Sequence, residues 1–349
     1  PIDHRGSGVV PIALQAVISV LLGRPCWELE LNWPELTLNA AEEPLVLGPG
    51  RLHSAGNLDD YRIETEGQIS GAGLGPGRWS GQARGNADGI RLGPLELAGP
   101  QAWLSLGGNL DWSGPITFDL GYRATGEGLA ELHPELPERL DAEGRVRGRM
   151  QGEELTLEDG SLALQRSPLR LNLVGNLRLP EAGEPGFEGR LQWTALQWPP
   201  TAPEPLVSSD SGSLELYGSV ADYRLALAAE ISGRDFPPGR WELEADGDQE
   251  QLLIQRLDGA LLEGQLVGDG ALRWSPAPAG RLALEIAHLV PTPWVPDWPP
   301  GASLDAGVRL ELNDRQLRLE ELDLSIPEAG SRLTIRGLAE LTPELAPAA

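Results

Sequence analysis

The sequence has no lysine, one cysteine, one methionine and three phenylalanines among its 349 residues. The single thiol, Cys26, cannot form a disulfide within the chain and reads as a small packing residue. Without lysine there is no Gly-Lys-Ser/Thr phosphate loop, and no Gly-x-Ser-x-Gly elbow occurs. The four histidines, His4, His53, His133 and His288, are scattered, with no i,i+4 pair and no cysteine at ligand spacing, so no metal or other cofactor is expected. Positive charge is scarce: 27 Arg against 52 Asp and Glu give a net charge of −25. That balance argues against nucleic acid, whose phosphates need clustered basic residues. The longest apolar run, residues 9–22, contains Pro11 and Gln15 and falls short of the roughly 20 residues of a membrane span, so it reads as a strand.

The acidic residues do not assemble into chemistry either. Glu42-Glu43, Glu153-Glu154 and Glu320-Glu321 read as solvated strand positions rather than glycosidase acids. Asp246-Gly247-Asp248-Gln249-Glu250 opens like a calcium loop, but Gln251 stands where Gly is needed and Leu257 where a bidentate Glu is needed. An enzyme is not expected. The only methionine is Met150 and the chain starts at Pro1, so a piece of a longer protein is expected.

What the sequence does have is an internal copy. Residues 59–113 laid over 221–275 without a gap, at an offset of 162, agree at 19 of 55 positions. Asp60-Tyr61-Arg62 recurs as Asp222-Tyr223-Arg224, Pro76-Gly77-Arg78-Trp79 as Pro238-Gly239-Arg240-Trp241, and Trp112-Ser113 as Trp274-Ser275. A fixed period means an array of stacked units. The division it suggests is entry strands over 1–30, a first β-repeat over 31–195, a second over 196–341 and a frayed tail over 342–349. Trp79/Trp241 and Trp112/Trp274 are expected to plug the layer and cap strand ends, with carbohydrate stacking the lesser alternative. The two Asp-Tyr-Arg triplets are expected to make local turn contacts.

Within each copy apolar and polar residues alternate with period two, the mark of a strand with one apolar face. Gly48-Pro49-Gly50, Gly71-Ala72-Gly73, Gly75-Pro76-Gly77 and Gly107-Gly108 read as turns, giving an all-β chain of roughly 20 short strands. Pro34 suggests a corner or edge. In one ladder such strands would span on the order of 100 Å. The fold expected is therefore an elongated, repetitive, antiparallel-rich sheet curled into a hydrophobic groove. Its lining is expected to be Leu155, Leu157, Leu169, Leu171, Leu173, Leu214, Leu216, Leu225, Leu227, Leu282, Leu284, Ile286, Val308, Leu310, Leu312, Leu317 and Leu319. Leucine-rich faces with few large aromatics suit flexible aliphatic chains, and taken alone are equally compatible with a dry core.

The Leu-x-Trp-Pro openings, the Asp-Tyr-Arg and Pro-Gly-Arg-Trp phrases, and Gly108–Ser113 with Gly270–Ser275 resemble the middle region of the TamB family, related to the AsmA-like proteins. The run from Leu257 to Gly268 is similar to their Leu-x-Gly…Gly-x-Leu repeats. The resemblance implies a hydrophobic conduit or scaffold across the periplasm of a Gram-negative cell, anchored to the inner membrane through a segment not seen here. It also implies a part in outer-membrane protein assembly and in phospholipid movement between the two membranes. Its implied partners are phospholipid acyl chains and, through other regions, an outer-membrane BamA-like (TamA) protein. The alternative is a structural or adhesive β-solenoid with a closed core that binds a protein or glycan.

Overall fold

The computed structural model describes residues 13–21, 24–38, 45–71, 74–128, 137–180, 183–200, 202, 204–234, 237–275, 277–292, 295, 297–313 and 316–340. Among them it is all-β, with 22 strands and one 3-10 turn, Pro327–Ala329, and no helix long and apolar enough to cross a membrane. The helix-tolerant stretch at 129–136 and the tail at 342–349 lie outside the described residues.

The chain divides into two compact units, Pro1–Gly152 with Thr156–Ser167, and Glu153–Leu155 with Pro168–Ala349. Residues 168–195, assigned to the first repeat on sequence, thus fall in the second unit. The first unit runs β1 (Ala13–Leu21), β2 (Arg24–Trp33), β3 (Leu36–Leu38), β4 (Leu45–Asn57), β5 (Asp60–Gly71), β6 (Leu74–Gly85), β7 (Gly89–Ala98), β8 (Ala102–Asp111), β9 (Ile116–Glu127), β10 (Arg139–Gln151) and most of β11 (Glu154–Leu164). β1 pairs with β2 and β2 with β4, and from β4 to β10 each strand pairs antiparallel with the next. β2 and β3 lie end to end along β4, broken at Pro34, which cannot donate to a ladder.

The second unit is a plain antiparallel meander. It runs β12 (Arg170–Arg178), β13 (Gly186–Trp198), β14 (Val207–Ser219), β15 (Tyr223–Gly233), β16 (Gly239–Gly247), β17 (Gln251–Leu261), β18 (Gly264–Arg273), β19 (Ala279–Leu289), β20 (Leu304–Asn313), β21 (Gln316–Ile326) and β22 (Ser331–Glu340). Each strand pairs with its successor. Turn chemistry drives the hairpins. Asn57 Oδ1 accepts the N–H groups of Asp59 and Asp60, Asn86 Oδ1 those of Asp88 and Gly89, and Asp248 Oδ1 those of Glu250 and Gln251.

Most strands are longer than expected, because several glycine signals are not turns. Gly48-Pro49-Gly50 lies inside β4, Gly75-Pro76-Gly77 inside β6 and Gly107-Gly108 inside β8. The ladder shifts register at Leu47/Gly50 and at Leu92/Leu95, and bulges of this kind hold the extra residue. The same device joins Leu319 to Leu322 within β21 and Ile254 to Leu257 within β17. A spacing of three, which breaks period two on paper, keeps both apolar side chains of each pair on one face.

Candidate functional site

In the second unit one face of the sheet is apolar from edge to edge. A single register row crosses all eleven strands: Leu173, Leu191, Leu214, Leu227, Leu243, Leu257, Gly268, Leu284, Val308, Leu322 and Ile335. Two residues along, a second row reads Leu171, Trp193, Gly212, Ala229, Trp241, Gly259, Leu266, Ile286, Ala306, Leu324 and Leu333. Leu216, Leu225, Leu282, Leu310 and Leu319 share a third row, and Leu312 and Leu317 stand in a fourth. Of the lining predicted on sequence, every residue but three is thus brought onto one face. Leu155 and Leu157 stand half-buried on β11, outside these rows, and Leu169 is buried just before β12.

The face is not a dry core. Among the described residues no large side chain is fully buried, and most leucines of the rows are half-exposed. At the two ends of the first row Leu173 and Ile335 are 42% and 41% exposed. In a packed sandwich these positions would meet a second layer and close to water. Here the strands' near contacts are with their ladder neighbours.

The first unit repeats the arrangement with residues that sequence reasoning did not single out. Leu29, Ser54, Ile63, Ala83, Leu92, Gly108, Leu120 and Val146 form one row across β2 to β10. Beside it, large rings alternate with glycines. Among the described residues the ring of an aromatic side chain lies over a glycine on the adjoining strand in eight pairs: Trp33 and Gly50, Tyr61 and Gly85, Trp79 and Gly67, Phe118 and Gly148, Tyr122 and Gly144, Trp193 and Gly212, Tyr223 and Gly247, Trp241 and Gly259. In every pair a Cβ on the glycine would run into the ring. The glycine gives the ring somewhere to lie, and the ring covers backbone the glycine leaves bare.

The repeated tryptophans divide the two expected tasks, capping and plugging, between them. Trp112 and Trp274 cap strand ends, donating Nε1–H to the carbonyls of Ala87 (2.7 Å) and Gln249 (2.8 Å). Trp79 and Trp241 plug the layer, but they lean in opposite directions. Trp79 lies toward Gly67 on the preceding strand because Leu97 faces it on the next; Trp241 lies toward Gly259 on the next strand because Ala229 faces it on the preceding one.

Two indole N–H groups in the layer are bonded: Trp27 to Ser54 Oγ (3.0 Å) and Trp193 to the buried Ser209 Oγ (2.9 Å). Trp33 and Trp79 differ. Their rings stack at 6.1 Å and 14°, and both Nε1–H groups are shielded from solvent with no acceptor among the described residues. An unmet buried donor costs about 1–3 kcal/mol, so the pair carries a destabilisation the fold does not require.

The opposite face is charged. Cross-strand pairs include Arg51–Glu66 (2.9 Å), Arg190–Glu215 (2.6 Å), Arg224–Asp246 (3.2 Å) and Arg332–Asp323 (3.0 Å). The triplets reach beyond their own turns: Asp60 takes a two-pronged bond from Arg84 on β6, while Arg224 reaches Asp246 on β16. Hydrogen bonds from arginine hold the carboxyls of Asp60 and Asp119 below the usual range, and Thr334 then Arg332 do so for Asp323. A hollow of about 740 Å³ on this face is lined by Glu30, Arg51, Glu64, Glu66, Gln82 and Glu96. Arg51 is already paired within it, and no group of three potential ligands for a metal ion occurs among the described residues.

No solved structure matches this chain. A family model described as TamB, N-terminal domain, matches it twice, over residues 2–167 and 159–338, where the sequence phrases had pointed to the family's middle region. The first match ends at Ser167, the last residue of the first compact unit, and the second begins at 159, within that unit's closing segment. Together the two matches cover nearly all of the sequence, and the chain belongs to the TamB family.

Proposed function

We propose that the apolar face carries the acyl chains of phospholipids as a passive conduit. The carrying observation is the row from Leu173 to Ile335, apolar across eleven strands with one glycine and lacking the burial of a closed core. Each methylene taken out of water is worth about 0.8 kcal/mol, so such a face lowers the cost of a lipid crossing an aqueous space by many times that amount. Leucine suits the task because its branched side chain is apolar and makes no directional bond. The headgroup stays in water while the chain exchanges one apolar neighbour for the next. No covalent step is involved.

The resemblance noted in the sequence implies work in the periplasm, in phospholipid movement between the membranes and in outer-membrane protein assembly; membership of the family supports that reading, and we adopt the lipid role for these residues. Docking to an outer-membrane partner is assigned to none of them. A closed adhesive solenoid is less well supported, since it calls for a buried core. The test is native mass spectrometry of protein purified without detergent, with lipid analysis of the bound fraction and titration with a short-chain phosphatidylcholine. Heterogeneous, sub-stoichiometric phospholipid supports the conduit. A lipid-free protein that takes up none of the added phospholipid sinks it.

A further inference from the structure

We infer that the Trp33–Trp79 pair receives the ester carbonyl of an acyl lipid, a point on the first unit's apolar face that reads more than chain length. The inference rests on the acyl-binding role proposed above. Along one row the order is Trp33, Gly50, Gly67, Trp79. The indoles lean inward over the two glycines, and Nε1 of Trp79 lies 2.8 Å from where a Cβ on Gly67 would sit. Beneath the rings lie the bare glycine backbones. Two donors with no acceptor thus sit together on this face. Buried donors of this kind call for a partner, and the protein supplies none among its described residues.

The surroundings define that partner's chemistry. It arrives on an apolar body, because the row beside it holds Leu31 and Leu52. It is neutral, because the arginines nearby, Arg51 and Arg78, alternate onto the charged face, and a carboxylate here would lack a counter-charge. It brings acceptors, because both unmet groups are indole N–H donors. A carboxylic ester meets all three conditions; its oxygens accept and none donates.

The second unit is the internal contrast. Ala229 stands where the first unit has Gly67, Trp241 turns the other way, and the Trp193 donor is bonded to Ser209. Ester preference therefore belongs to the first unit alone.

The experiment compares 1-palmitoyl-lysophosphatidylcholine with its 1-O-hexadecyl ether analogue, both below their critical micelle concentrations, by calorimetric titration of the 349-residue chain. Two added hydrogen bonds predict roughly tenfold tighter binding of the ester. Trp33→Phe and Trp79→Phe keep a ring over each glycine and remove the donor, so each should draw the ester toward the ether's affinity, while Trp241→Phe leaves the difference intact. In indole ¹⁵N–¹H spectra the two signals lost in those variants should move with ester and not with ether. Equal binding of ester and ether overturns the inference and leaves the acyl-binding role standing. Binding of neither overturns both. Tighter binding of an apolar, alternating peptide, with movement of the same two signals, overturns it in favour of a peptide carbonyl.

Discussion

The indole of Trp193 lies over Gly212 on the neighbouring strand, and a methyl group at 212 would fall within the ring. The glycine is half of a packing unit whose other half is the tryptophan. Gly212→Ala should therefore destabilise the second unit by about 1–3 kcal/mol, the usual cost of overpacking. Gly307→Ala is the control: it also lies in a strand, but nothing stands within 4 Å of its Cβ position. That change should be neutral or stabilise by about 0.5–1 kcal/mol. Urea unfolding of the two variants side by side decides it.

The opposed leanings of Trp79 and Trp241 predict a rescue. In Gly259→Leu the new side chain meets Trp241, since a Cβ there lies 3.0 Å from the ring, and the cost should again be about 1–3 kcal/mol. Adding Ala229→Gly opens the side that Trp79 uses in the first unit. The double variant should recover a large part of the loss, read as a positive coupling in a double-mutant cycle. Strict additivity would mean that the glycine does not steer the ring.

Asp119 predicts a pH dependence. The hydrogen bond from Arg145 lowers its folded-state pKa, so its contribution is present above the unfolded value near 4 and is lost as pH falls through the lowered one. The advantage of the parent over Asp119→Asn should be level between pH 7 and 5 and shrink steadily below about pH 4. Thermal melts of the pair across that range measure it; a difference that grows on acidification would reverse the sign. Comparing the pair cancels the relief of self-repulsion expected for a chain of net charge −25.

Leu284 faces Gly268 and Val308 in the middle of the first leucine row, whereas its neighbour Glu285 lies on the charged face. Leu284→Glu should abolish uptake of short-chain phosphatidylcholine while lowering stability by no more than about 1–2 kcal/mol, because the position is half-exposed. Glu285→Gln should leave uptake unchanged. Loss of folding in Leu284→Glu would instead show that the face is closed against water.

Much of this was readable from the residues. Leu214/Leu216, Leu225/Leu227 and Leu282/Leu284 report strands and a shared face without help, because side chains alternate along any strand. The 162-residue offset also shows Arg84 standing where Asp246 recurs, which foretells the exchanged ion-pair partners. The first unit's face was harder to see. Its rows spend glycines and rings where the second has leucines, and a glycine facing Tyr61 is not legible from either strand alone.

The sequence by itself determined the fold class, the two copies and the chemistry of each face, since these follow from local alternation, turn residues and self-similarity. Only the tertiary structure decided register. Whether Gly48-Pro49-Gly50 is a turn or a bulge, which glycine lies under which ring, and why the donors of Trp33 and Trp79 stand unmet all depend on which residue sits opposite on another strand. The physical reason is that alternation acts along one strand, while register is a property of two.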